Sequence, residues 1–189
     1  MLSSALNLVV GGCALLLCAA APARAQDDAP SLGTFVLAGL GDVCVPVIER
    51  GESLAETASA AGFLEVTGDN RAALGGGAGM SWWLFEFAEA VLVVGRDLGE
   101  PGSACRVAAS VPIARIGELE KQVGAWAAKA SPAFQQIAAP SSAKTRDAQW
   151  VWERAAGGAV QRLRLSLTQH KDGTATSTLQ FGLLPRQDR

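Results

Sequence analysis

Few side chains in this 189-residue chain are reactive, and cysteine is the first to consider. The chain has four, at Cys13, Cys18, Cys44 and Cys105. Met1–Ala25 has the pattern of a secretory signal. Leu6–Ala21 is apolar apart from Asn7, and Ala23-Arg24-Ala25 supplies small residues at the −3 and −1 positions before Gln26. A mature chain running Gln26–Arg189 keeps only Cys44 and Cys105. In an oxidising compartment such a pair is expected to form one structural disulfide. A metal site would need three or four ligands, and the single histidine, His170, cannot complete one with these two thiols. No metal and no cofactor is therefore expected.

Catalytic constellations are not legible. His170 stands beside a predicted turn at Lys171-Asp172-Gly173, where a general base would still need a positioned partner. No serine sits in a Gly-x-Ser-x-Gly elbow, since Gly79-Met80-Ser81-Trp82-Trp83 lacks the second glycine. The glycine run Gly75–Gly79 is followed by Met80 and Ser81, not by the Lys and Ser/Thr of a phosphate loop. Carboxylates are scattered: Glu86 and Glu89 flank a strand end, and Glu118 and Glu120 do not face each other on a helix. No catalytic residue is assigned.

Tryptophan and arginine remain. There are five Trp and no Tyr. Trp82, Trp150, Arg162 and Arg164 are the candidate binding surface, because exposed Trp and Arg anchor interfaces and the two arginines suit an acidic partner. Core packing for Trp and a solvated face for Arg is the competing reading.

The elements that would position these residues follow from periodicity. Ser81–Phe87, Ala90–Arg96 and Ala104–Val111 are predicted strands, with Trp83, Phe85 and Phe87 on one face and Trp82, Leu84 and Glu86 on the other. Their short links imply an antiparallel meander. Asp42 is expected to cap a helix that passes Pro46 and ends near Arg50, before Gly51. Ser53-Leu54-Ala55-Glu56 is a capping box for a second short helix ending at Gly62, and Phe63–Thr67 a short strand. The apolar stripe Ile116, Leu119, Val123, Trp126 and Ala130 predicts a helix over Ile113–Ala130. Ser131-Pro132 is expected to open a further helical piece reaching Ala138. Strands follow at Asp147–Arg154, Ala159–Gln169 and Thr174–Leu183, the last two joined by the Asp172-Gly173 hairpin turn.

The predicted fold class is α+β: antiparallel meander sheets with helices on one face, in an order that allows a helix–three-strand duplication. The expected division is a signal peptide at 1–25, a flexible tail at 26–34 and a single domain at 35–189. The net charge of −2 gives no basic surface for nucleic acid. After signal cleavage no membrane span is expected.

Cys44 in a helix, the glycine-rich lead Gly77-Ala78-Gly79-Met80-Ser81-Trp82, and the Cys-x-Val step Cys105-Arg106-Val107 resemble a diffuse group of small secreted bacterial proteins of unknown function. The resemblance covers a minority of the chain. It implies an envelope location and a small disulfide-bonded α+β domain, and it implies no activity. The expected function is that of an exported domain, periplasmic or secreted, that binds a protein, peptide or glycan without turning it over. The competing readings are an envelope enzyme with a site dispersed in sequence, and an assembly or inhibitor protein.

Overall fold

The computed structural model describes residues 31–69, 81–87, 90–97, 104–140 and 147–185. The expected signal, most of the expected tail and the glycine loops at 75–79 and 99–102 lie outside the described residues.

The chain begins with a helix, α1 (Leu32–Glu49). The Ser31 side chain caps it by accepting from the Thr34 amide at 3.3 Å. Asp42 is therefore mid-helix and not a cap, and residues 32–34 belong to the domain, not to a tail. Pro46 falls in the helix interior, where it cannot donate to the Asp42 carbonyl and its ring crowds that oxygen. The helix answers with a wider π-type turn over Gly39–Cys44, in which the Val45 amide donates to the Leu40 carbonyl. Gly51, at φ 69°, ends the run as expected. By length and composition α1 could cross a membrane, but half of it is buried inside the protein, and a disulfide ties it to the sheet. It is the domain's central helix.

Helix α2 (Leu54–Ala60) uses the predicted cap, Ser53 accepting from the Glu56 amide. Helix α3 (Ile116–Lys129) follows a 3₁₀ turn at Ile113–Arg115 and buries Ile116, Leu119, Val123 and Ala127. Ile116, Leu119 and Val123 of the predicted stripe are buried, Trp126 and Ala130 only partly so, and Ala127 takes the last core position.

The strands are β1 (Leu64–Glu65), β2 (Trp82–Phe87), β3 (Ala90–Asp97), β4 (Ala104–Pro112), β5 (Gln135–Ala138), β6 (Asp147–Ala156), β7 (Ala159–Gln169) and β8 (Thr174–Pro185). They form one eight-stranded sheet in the order β1-β2-β3-β4-β8-β7-β6-β5. Each adjacent pair is antiparallel. The fold is α+β, with the helices on one face of the sheet.

A helical stretch followed by a meander occurs twice, and the two meanders meet through their last strands, β4 and β8. Pairing there runs from Ala104↔Gly182 to Pro112↔Thr174, centred on Ala108↔Thr178. Each half has four strands, where the sequence predicts three plus a short strand in the first half and three plus a helical piece in the second. The fourth strands, β1 and β5, are the short outer ones, and β5 is further interrupted by a register shift. Short and irregular edges resist pairing with other chains.

β5 corrects the expected helical piece at 131–138. Phe134 is buried, its ring lying 6.1 Å from that of Trp126 and 6.2 Å from that of Phe181. The Phe134 amide donates to the Ala127 carbonyl at 3.1 Å, closing the end of α3. Once Phe134 is anchored there, Gln135 and Gln136 run alongside β6 and satisfy their backbone in the sheet.

The core lies between the helices and the inner sheet face. It contains Cys105, Val107, Ala109 and Val111 of β4, Leu163, Leu165 and Leu167 of β7, and Ala175, Leu179 and Phe181 of β8. Two polar side chains are buried on this side and both are satisfied: the Ser177 hydroxyl donates to the Ala109 carbonyl at 3.0 Å, and the Gln161 amide donates to Glu49 at 3.1 Å. Cys44 of the π turn and Cys105 of β4 are disulfide-bonded, both fully buried. At the far end Arg154 of β6 donates to Glu49 of α1 at 2.6 Å and to the Pro132 carbonyl at 3.0 Å, with its guanidinium 4.4 Å from the centre of the Phe134 ring. This group fastens the end of α1 to the second meander.

Candidate functional site

Alternation sends every second side chain to the face away from the helices. The registers align these residues across strands. Trp82 of β2 pairs with Gly95 of β3, Gly95 with Arg106 of β4, Arg106 with Gln180 of β8, and Gln180 with Arg164 of β7. One continuous row thus crosses five strands, and its two guanidiniums flank the Gln180 amide.

Around Arg106 and Gln180 the floor is made mostly of small residues. Ala104, Gly182 and Arg162 form the neighbouring row on one side, and Ala108, Thr178 and Ser166 the row on the other. Arg106 therefore rises among small residues of β4 and β8, whereas Arg164 lies between Gln180 and Val151 of β6. Their Cα atoms are two strand spacings apart, roughly 10 Å. The Nε atoms of both are buried at the sheet surface. Burial, and then the neighbouring Arg164 charge, hold the Arg106 pKa below the ordinary arginine value. A cation partly desolvated beside another cation gains from an anion placed between them.

Trp82 lies flat over Gly95. A Cβ at Gly95 would stand 2.4 Å from Cε3 and 2.5 Å from Cζ3 of the indole. Trp82 is 7% exposed, and its Nε1 is a buried donor with no hydrogen-bond partner among the described residues. Such donors are costly to bury unmet.

No family model, curated protein or solved structure matches the chain. The chemistry of the face therefore rests on these side chains alone.

The sequence-predicted residues divide. Trp82 and Arg164 stand in the row, and Arg162 adjoins it. Arg162 is already engaged, its Nε donating to Glu153 of β6 at 2.7 Å. Trp150 is a correction. It is 2% exposed on the inner face, packed with Trp152 in the core, so it offers no surface to a partner. Arg106 was not among the candidates. The signal was present, since alternation places it opposite Cys105, but its meeting with Arg164 depends on the β4–β8 register, which joins residues distant in sequence. His170 lies at the β7–β8 turn, exposed, with Nε2 2.8 Å from the Thr176 hydroxyl.

The contact between Trp82 and Gly95 gives a direct test. Alanine in a strand ordinarily improves on glycine. Here Gly95→Ala is expected to destabilise the domain by about 1–3 kcal/mol, because the buried indole must move. Denaturant unfolding measures the cost, and a red-shifted tryptophan emission reports the displacement.

Proposed function

We propose that the chain is an exported, non-enzymatic binding module, periplasmic or secreted, whose outer sheet face takes an acidic segment of another protein. The observation that carries this reading is the Trp82–Gly95–Arg106–Gln180–Arg164 row. Two planar guanidinium forks suit carboxylates, which each can hold in a two-bond geometry. Gln180 and Trp82, both buried, form the floor of the row beneath the two guanidiniums. Trp and Arg together are the side chains that concentrate binding energy at protein interfaces. The buried Cys44–Cys105 disulfide supports an oxidising compartment and gives the face a rigid backing.

The test is titration with an extended glutamate-rich peptide at low and moderate salt, against a lysine-rich peptide of equal length. Binding of the acidic peptide alone is expected, weakening with salt. Arg106→Ala and Arg164→Ala should each weaken it about tenfold, a loss near the 1.4 kcal/mol per decade of affinity. Arg162→Ala should weaken it less, because Arg162 stands beside the row and not in it. Equal binding of both peptides, or an acidic-peptide affinity unchanged in the Arg106/Arg164 double variant, would overturn the proposal.

A further inference from the structure

The helix-covered side carries a second opening, distinct from the arginine row. A cleft of about 150 Å³ lies between α1, the turn after α2, and strands β2 and β3. Phe35, Phe63, Phe85 and Leu92 form its apolar walls, with Asp42 at its rim. The three phenylalanines are held in place by one another. Phe85 stacks on Phe35 with ring centres 5.9 Å apart, and meets Phe63 at 5.4 Å. A space of this size accommodates one benzene-sized body.

Two observations give the cleft a chemical preference. Asp42 is exposed and makes no ion pair among the described residues. It also belongs to the π turn over Gly39–Cys44, a rare helical distortion that often marks functional positions. The same turn faces two ways, sending Cys44 to the disulfide and Asp42 to the cleft. Gly39, also in this turn, lines the cleft floor, and a Cβ there would stand 3.3 Å from Val107 and 3.6 Å from Phe63. Aromatic walls and a carboxylate favour the same sign of charge, since ring faces attract cations and the carboxylate pairs with them.

We infer that this cleft binds a small organic cation, a compact apolar body carrying an ammonium group. The body fills the space beside Phe63, Phe85 and Leu92, and the ammonium sits at the rim against Asp42.

The experiment compares benzylammonium with benzyl alcohol, which has the same ring and no charge, by calorimetric titration of the intact disulfide-bonded chain. Benzylammonium is expected to bind about tenfold more tightly, as a desolvated cation–ring contact and a carboxylate together allow. Asp42→Asn changes an exposed side chain and leaves the core intact, and it should abolish the preference while the alcohol's affinity stays unchanged. Phe85→Leu should weaken both probes, with near-ultraviolet circular dichroism confirming the fold. Equal binding of the two probes by the native chain, a preference that survives Asp42→Asn, or binding of neither at millimolar concentration would overturn the inference. None of these outcomes bears on the arginine row, which Arg106→Ala and Arg164→Ala test separately.

Discussion

Replacing Cys44 and Cys105 together with alanine should lower the stability of the domain by about 4 kcal/mol, the chain-entropy value for a loop of this length. The two cysteines are 61 residues apart in sequence, and their Cα atoms are 5.3 Å apart in the fold. The bond restrains the unfolded chain across all of α2, β1, β2 and β3. Reduction therefore frees a large set of unfolded conformations while leaving the packed core nearly unchanged. For a domain of this size, 1 kcal/mol moves the melting temperature by about 2–4 °C, so a fall of about 8–16 °C is expected. Thermal melts of the native chain, the double variant and the native chain under reductant measure it. Because both sulfurs are joined in the disulfide, a thiol-alkylating reagent should label neither Cys44 nor Cys105 in the oxidised protein, even after unfolding. Native protein in which both thiols react, or a double variant with an unchanged melt, would remove the disulfide from the account of this fold.

The sheet was legible because its strands alternate. In β7 the series Leu163, Leu165 and Leu167 against Arg162, Arg164 and Ser166 fixes both the strand and its faces, whatever it pairs with. The Asp172-Gly173 turn was equally local. Asp172 accepts from the Thr174 amide at 2.9 Å and from its hydroxyl at 2.7 Å, and Gly173 takes a φ of 86°. What failed to show was non-local. Gly33, Gly39, Gly41 and Pro46 all weaken a helix by propensity, yet α1 runs through them. Burial of Val36, Leu40, Val43, Val47 and Ile48 against the sheet outweighs those local costs. β5 was hidden for the same reason, since its conformation depends on where Phe134 is anchored. The candidate site was half legible. Alternation placed Arg164 on the outer face, but the alignment of Arg106, Gln180 and Arg164 follows from the meeting of two meanders, and no local pattern encodes that register.

Phe181→Ala should cost about 3–5 kcal/mol, the range for removing a buried aromatic ring from a close-packed core. Phe181 is fully buried at the join between the halves. Its strand neighbours are Cys105 on β4 and Leu163 on β7, and its ring meets Phe134 edge-on. Truncation therefore leaves a void touching the disulfide of the first half and the α3–β5 connection of the second. Neither half can close it alone, because its walls come from both. Thr178→Ala, three residues earlier on the outer face of the same strand, removes little packing and should stay within about 0.5 kcal/mol. The comparison also tests whether the two halves act as one cooperative unit. If β4 and β8 share a single core, Phe181→Ala should shift one unfolding transition, seen alike by circular dichroism and by tryptophan fluorescence. The probes report from both halves, since Trp82 and Trp83 lie in the first meander and Trp150 and Trp152 in the second. Two separated transitions, with only the second-half signal displaced, would mean that each helix–meander repeat keeps its own core and that the β4–β8 seam is an interface between two units.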